Sequence, residues 1–448
     1  MPPAVPQAAQ QPQPQARVET AGGETSAARS KQIIERLKAD PGTPSPILDR
    51  HLAIESALTG QPLVADNDVK LLQDGDATYK AMFAAIASAR HHVNMETYIL
   101  QADEAGQRFA DALIAKRREG VVVNLLVDSV GTLETPAEFF DRLRAAGVSV
   151  LEYNPINPLQ APAGWDPNQR DHRKLLIVDG RVAVMGGINI SAEYSSGSIP
   201  RSREEAARRR AKHKEPQRPW RDTDLRIEGP VVAEFQQIFL NTWGEQNGPP
   251  IAGGDYTPPP PPQAVGRHVV RAIPSTPRDT QSAIYNTLMS SIAHAEEEIF
   301  VTMAYFVPDE QLLDGLCTAA RRGVDVELIL PRHTDVALVQ SAGRSHYGTL
   351  LRCGVKLYER REVLLHAKTA VIDGVWSTVG SANLDWRSFV HNQELNAVVL
   401  GSGFGDQMRS AFARDRGASE QISLQAWENR PLSDRLHEWL GRLLAYWL

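Results

Sequence analysis

Hydrophobic positions along the chain follow two periods in alternation, and the alternation runs twice. Ala81-Met82-Phe83-Ala84-Ala85-Ile86 has helical character and leads to a β-rich run at 93–100; residues 288–295 lead in the same way to 299–307. Arg118-Glu119-Gly120-Val121 then opens an apolar run ending at Val127, and Arg322-Gly323-Val324 opens one at 326–330. Leu143-Arg144-Ala145-Ala146-Gly147-Val148 is matched by Leu351-Arg352-Cys353-Gly354-Val355. Each unit is a helix stopped by glycine and followed by a strand, which predicts an α/β sheet. A period of about two hundred residues is domain duplication, not a solenoid.

Breaks in the pattern divide the chain. Residues 1–28 carry too few large apolar side chains to order themselves. A short amphipathic stretch with Ile33, Ile34 and Leu37 follows, and then the breaker cluster Pro41-Gly42-Thr43-Pro44-Ser45-Pro46. Residues 1–46 are therefore expected to be a disordered tail and linker. A second break at 248–265 contains Pro258 to Pro262, a stiff run that fits neither a helix nor a central strand. The expected domains are 47–247 and 266–448.

Within this duplicated frame one motif recurs. His172-x-Lys174-x4-Asp179 is repeated as His366-x-Lys368-x4-Asp373. Seven residues past each Asp comes a small pair and an Asn, Gly186-Gly187-Ile188-Asn189 and Gly380-Ser381-Ala382-Asn383. On a strand, residues two apart share a face, so each His lies beside its Lys. Asp179-Gly180 and Asp373-Gly374 read as hairpin turns. The return strand then brings its Asn beside the His and Lys, with small residues permitting close approach.

These groups suit chemistry at a phosphodiester. Lys174, Lys368, Asn189 and Asn383 are fixed donors for negative charge that grows on phosphoryl oxygens. Two histidines allow covalent catalysis, one attacking phosphorus and the other protonating the leaving oxygen. Each nucleophile or acid needs a partner to set its tautomer. Asp222 and Glu394 fill that place, falling at equivalent positions when Gly229 is matched to Gly401. A lone His-x-Lys is most often surface decoration; two copies with the same trailing Asn and carboxylate are not. Asp179 and Asp373 are counted with the catalytic set as motif members, although a turn or ion-pair role suits them better.

Composition narrows the surroundings of that chemistry. A net charge of −6 over 448 residues does not suit a nucleic-acid binder. Only Cys317 and Cys353 are present, so no disulfide framework is expected and a reducing cytosol is plausible. No apolar run is long enough to span a bilayer, and the Pro- and Gln-rich start has no secretory pattern. An enzyme of this kind would reach membranes from solution.

The doubled motif and its trailing Asn element resemble the phospholipase D superfamily. From about Ile54 onward the chain is similar to bacterial cardiolipin synthases of the form without N-terminal membrane spans. The marks are Thr97-Tyr98-Ile99, Val127-Asp128-Ser129-Val130-Gly131, Trp220-Arg221-Asp222, Tyr305-Phe306-Val307-Pro308 and Asn383-Leu384-Asp385-Trp386-Arg387-Ser388. Ala304 stands where the family pattern has Pro, and Gly131-Thr132 where it usually has Gly-Ser. The resemblance implies two tandem α/β sandwich domains, each a mixed β-sheet flanked by helices, around one pseudo-twofold active site. It implies a phosphatidyltransferase that makes cardiolipin through a phosphohistidine, with no metal or other cofactor. Phospholipids and the bacterial inner-membrane surface are the expected partners, approached from the cytoplasm, and no nucleic acid is expected. His172 is assigned the attack, with His366 as acid and base.

Two segments bear on membrane contact. Residues 201–221 are dense in Arg and Lys, an insertion the second half lacks, suited either to anionic headgroups or to a solvated loop. Leu432, Leu436, Trp439, Leu440, Leu443, Leu444 and Trp447 form a helical stripe, for which packing on the domain's own core is the commoner fate and an interfacial role the alternative. The competing functions are a phospholipase releasing phosphatidic acid, a metal-independent nuclease of the same superfamily, and a lipid-binding scaffold without turnover.

Overall fold

A computed structural model of the chain describes residues 18–20, 23–38, 45–58, 61–157, 165–195, 218–251, 264–277, 279 and 282–444. The duplicated pattern becomes two copies of one mixed sheet. In the first, the strands Ser149–Tyr153, Val122–Asp128 and His92–Thr97 run parallel. Leu175–Val178, Val182–Gly186, Thr223–Glu228 and Leu63–Gln73 then continue the sheet antiparallel. The second copy repeats this order as Lys356–Arg360, Asp325–Pro331, Glu298–Met303, Lys368–Ile372, Trp376–Gly380, Asn392–Leu400 and His268–Ser275. Leu63–Gln73 pairs antiparallel with His268–Ser275, so the two sheets meet edge to edge. The architecture is the one expected: mixed sheets flanked by helices, related by a pseudo-twofold.

Local sequence explains why these elements stop and turn where they do. The parallel strands are apolar throughout because both faces are covered; Val123, Leu125, Leu126 and Val127 are all buried. Asp179-Gly180 and Asp373-Gly374 each have positive φ at both residues (52° and 61°), the backbone of a type I′ hairpin turn. The helices Glu104–Arg118 and Glu310–Arg321 start on Asp103 and Asp309, whose carboxylates accept from the first-turn N–H groups. Between the sheets lies a shared core in which Phe235 and Phe239 of the first half meet Val371, Val379 and Leu395 of the second.

Three expectations are corrected. The stretch 1–46 is not wholly a tail: Val18–Thr20 adds a strand beside Leu63–Gln73, and Ala27–Lys38 forms a helix. Val18, Ile33 and Leu37 are buried in the second half's core, so burial supplied from far along the chain orders a segment whose own composition is poor. Residues 1–17 and the breaker cluster through Pro44 lie outside the described residues, as do Pro258 to Pro262 and most of the basic insertion, 201–217. Second, Cys317 and Cys353 form a disulfide, with Cα atoms 5.3 Å apart. The helices Glu310–Arg321 and Tyr347–Arg352 pack together and bring the two thiols face to face across 36 residues of chain. The reducing-compartment expectation loses its support. Third, the described apolar residues of the helix Leu432–Leu444 are not buried: Leu432, Trp439 and Leu440 are exposed, and Glu438 and Gly441 face the body, while the side chains of Leu436, Leu443, Leu444 and Trp447 lie outside the described ones. Among the described residues no helix is long and apolar enough to cross a membrane.

Candidate active site

Both copies of the motif start on a two-residue strand and run into a hairpin. Arg170–Asp171 pairs with the second half's Asn392–Leu400 strand, and Leu364–Leu365 pairs with the first half's Trp220–Arg221. Each histidine is thus delivered to a strand that belongs to the other half. His172 N–H donates to the Gln393 carbonyl (3.0 Å), and His366 N–H to the Arg221 carbonyl (2.8 Å).

The side chains cross in the same way. Nδ1 of His172 lies 3.1 Å from each carboxylate oxygen of Glu394. Nδ1 of His366 lies 2.7 Å from Oδ2 of Asp222. The two carboxylates expected to orient the imidazoles therefore do face them, each from across the pseudo-twofold. An Nδ1–H held on a carboxylate leaves Nε2 as the free reactive nitrogen.

The two pairs are unequal. Ser381 Oγ donates to Glu394 (2.5 Å), and the Asn392 side-chain amide donates to it as well (3.3 Å). At the place of Ser381 the first half has Gly187, where a Cβ would lie 2.4 Å from an oxygen of Asp222. Glu394 lies below its ordinary range: burial alone would raise it, but the facing His172, Lys174 and the Ser381 hydroxyl outweigh that. Burial pushes Asp222 up to about 6, with Lys368 opposing.

Lys174 and Lys368 are buried, and each Nζ donates to the backbone carbonyl of its own motif histidine. Burial lowers Lys174 to about 7 and Lys368 to about 8, against the attraction of Glu394 and Asp222. His366 falls well below the ordinary imidazole value through burial and then the charges of Lys368, Lys174 and His172. His172 is lowered less severely, by burial and the two lysines against Glu394. Each histidine lies in the field of both lysines, so two half-sites make one centre.

Other motif residues fall elsewhere. Asp179 accepts from the backbone N–H groups of Arg90, His91 and His92, all at 2.8 Å. Asp373 does the same for Glu296, Glu297 and Glu298 and also meets His51 Nε2 (3.2 Å). Both sit at the far end of their strand from the histidine and clamp a turn, so their membership of the catalytic set is corrected to a structural role. Asn189 uses its side chain to hold local structure, accepting from Ile99 N–H and donating to the Tyr194 hydroxyl (both 3.1 Å). Its phosphate-binding capacity is reduced to the remaining amide proton. Asn383 is buried; its backbone N–H donates to Ser388 Oγ (3.2 Å).

Several residues around the histidines carried no role in the sequence reading. Tyr98 meets His172 edge-on (5.2 Å between centroids) and lies under the Lys174 ammonium. Trp220 and Tyr194 flank His366 at 5.2 and 5.7 Å, and Tyr305 lies 6.3 Å away. The Tyr305 hydroxyl donates to Asp335 (2.5 Å). The available signal was a tyrosine just past the equivalent strands His92–Thr97 and Glu298–Met303, Tyr98 and Tyr305. Arg173, between the motif His and Lys, is buried and donates to the Glu394 carbonyl, Thr242 Oγ1 and the Ser275 carbonyl, tying the halves at the centre. Among the described residues no cluster of His, Cys, Asp or Glu has a metal-holding arrangement.

Comparisons with known proteins show the family and the fold. The family model for "Cardiolipin synthase, PLD-like domain" matches residues 82–203 and 288–416, one copy of the motif in each. The cardiolipin synthase of Geobacillus kaustophilus is 34% identical over 385 residues, covering 86% of this chain and 73% of that protein. That of Geobacillus thermodenitrificans is 34% identical over 413 residues, covering 92% and 78%. The crystal structure of a phosphatidylserine synthase from Haemophilus influenzae shares the fold, with a TM-score of 0.64 at 12% identity, over 89% of this chain and 97% of that one.

Proposed function

The chain belongs to the cardiolipin synthase, PLD-like domain family, an enzyme family of the phospholipase D superfamily, and on that premise we propose that it is a phosphatidyltransferase making cardiolipin. Phosphatidylglycerol donates the phosphatidyl group and a second phospholipid accepts it. The observation that carries the reading is the pair of crossed His–carboxylate contacts, His172–Glu394 and His366–Asp222, lying in the field of two buried lysines.

The steps follow from those groups. Nε2 of His172 attacks phosphorus while the bond from phosphorus to the departing glycerol oxygen breaks. His366 gives that oxygen its proton. The phosphoryl group is then held on His172 as a phosphohistidine. The acceptor hydroxyl attacks phosphorus, His366 takes the hydroxyl proton, and the phosphorus–nitrogen bond breaks. Lys174 and Lys368 offset the negative charge on the non-bridging oxygens. His172 suits the attack because it is the more open imidazole and because Glu394 stays ionised. In the free enzyme burial, and then the charges of Lys368 and Lys174, oppose protonation of His366. A bound phosphodiester offsets those charges and lets His366 hold the proton it must deliver.

Purified protein with phosphatidylglycerol vesicles should form cardiolipin and glycerol, read by mass spectrometry. Phosphatidic acid as the only product would replace transfer with hydrolysis. The intermediate is tested separately: His366→Ala, given a p-nitrophenyl phosphatidyl donor whose leaving group needs no proton, should hold a phosphoryl adduct on His172, and an unmodified protein that has released nitrophenolate would remove the covalent step.

A further inference from the structure

Apart from Val265, the large hydrophobic side chains left exposed among the described residues fall on segments that follow the parallel strands or on the helix Leu432–Leu444. In the first half Val130 and Leu133 stand 38% and 63% exposed on the turn after the Val122–Asp128 strand, and Ile156 50% exposed after Ser149–Tyr153. In the second half Val336 and Leu338 stand 39% and 37% exposed after Asp325–Pro331, at the start of the helix Ala337–Arg344. These loops follow equivalent strands of the two copies. They are also the loops that meet the histidines. Asp128 accepts from the backbone N–H of Asp171, next to His172, and Gly131 packs against the Tyr98 carbonyl, where a Cβ would lie 2.0 Å away. Asp335, adjoining Val336, holds the hydroxyl of Tyr305 beside His366.

The helix Leu432–Leu444 extends the same rim. It crosses Ala337–Arg344 so closely that a Cβ on Gly441 would lie 2.6 Å from the Ala342 nitrogen. Glu438, 4% exposed, faces inward between Arg430 (2.6 Å) and Arg344 (3.7 Å). That clamp turns Trp439 and Leu440 outward, at 56% and 43% exposure. An amphipathic helix ordinarily buries its apolar stripe on its own domain; here the inward position of Glu438 carries a buried ion pair, and Trp439 next to it faces the surface.

We infer that this rim is a lipid-docking face that sets the cleft against a phospholipid surface. The occupant is a bilayer because the apolar groups from both halves surround the mouth of a centre whose substrates carry acyl chains. A substrate can then enter without its chains crossing water. Trp439 belongs to the residue type favoured at the headgroup level. The inference rests on the phospholipid reading of the substrate, and the test separates the two.

The test uses the full chain and vesicles of phosphatidylcholine with phosphatidylglycerol. Wild-type protein should float with the vesicles, and Leu133→Glu/Leu338→Glu/Trp439→Glu should lower the bound fraction at least tenfold. Turnover of monomeric short-chain phosphatidylglycerol should stay within twofold in the same variant, which also verifies its fold. Brominated lipid should quench tryptophan emission in the wild type, and Trp439→Phe should remove part of that quenching. Equal flotation of variant and wild type overturns the docking face, as does a rim whose substitution only converts a dimer to a monomer. Flotation that depends on the rim, without turnover of any phospholipid, retains the docking face and removes the transferase reading.

Discussion

The change from Glu394 to Gln isolates what a carboxylate does at His172. The side chain keeps its shape, and one polar atom can still meet Ser381 Oγ, which lies 2.5 Å from the carboxylate. Lost are the negative charge and the acceptor character at one of the two 3.1 Å contacts to Nδ1. The Gln amide can instead donate to Nδ1, which drives the imidazole proton onto Nε2 and removes the attacking lone pair. The same tautomer error in a Ser-His-Asp triad lowers turnover by about 10⁴. At 1.36 kcal/mol per tenfold, a loss of about 10³ to 10⁴ corresponds to roughly 4 to 5.5 kcal/mol of barrier. A second effect acts in the same direction. Glu394 is among the groups that raise Lys174, which burial holds down near about 7, so its neutralisation lowers Lys174 further. The assay is kcat for cardiolipin formation in mixed micelles with substrate saturating, beside a melting curve. The melting temperature should change little. His172→Ala/Glu394→Gln should be no slower than His172→Ala alone, because residues acting as one unit are not additive. A Glu394→Gln enzyme within threefold of wild type, or a double variant slowed by the product of both losses, would refute the pairing as a catalytic device.

The free enzyme's kcat/KM should be bell-shaped in pH. It falls below about 6 as Asp222 protonates and releases the His366 Nδ1–H. It falls above about 7 as Lys174 loses its charge. A bound anion favours charged Lys174, so the alkaline limb of kcat should lie at higher pH; a flat profile from about pH 5 to 9 would contradict both assignments. Gly187→Ala should reduce turnover at least a hundredfold, since its Cβ would sit 2.4 Å from the Asp222 carboxylate, while Ser381→Ala removes one hydrogen bond and should cost about tenfold. Equal effects of the two on kcat would mean the halves are not unequal as described. Asp373→Asn should lower stability by about 2–4 kcal/mol in denaturant titration while leaving kcat of the folded enzyme within a few fold, because its carboxylate holds three backbone N–H groups and His51, not the phosphate centre. Arg173→Met should cost about 3–5 kcal/mol, since it removes the guanidinium beside the buried Glu96 and leaves the Glu394 strand without its tie to Thr242.

Local order explains which features could be read in advance. The hairpins at Asp179-Gly180 and Asp373-Gly374, the glycine-stopped helices and the shared face of His and Lys depend on residues within a few positions of one another, and period and turn chemistry report them directly. The N-terminal helix could be expected only as an amphipathic stretch within a tail, because Ile33 and Leu37 are buried by the second half's core, more than two hundred residues away in the chain. Cys317 and Cys353 were separated by sequence and joined by helix packing. On the helix Leu432–Leu444, Arg344 and Arg430 hold Glu438 inward, and Leu432, Trp439 and Leu440 of the stripe stay exposed.

By itself the sequence determined a duplicated α/β frame, one phosphate-handling motif per copy, and the two carboxylates at equivalent places. Repetition and spacing survive in a linear string, so these could be read there. Only the tertiary structure decided that each histidine answers to the carboxylate of the other half, that Glu394 is ionised and braced where Asp222 is held near about 6, and that Asp179 and Asp373 clamp turns away from the centre. Those facts depend on which groups share a buried volume and how much water has left it. Sequence neighbours alone do not specify either, because the pseudo-twofold brings together strands that lie about two hundred residues apart.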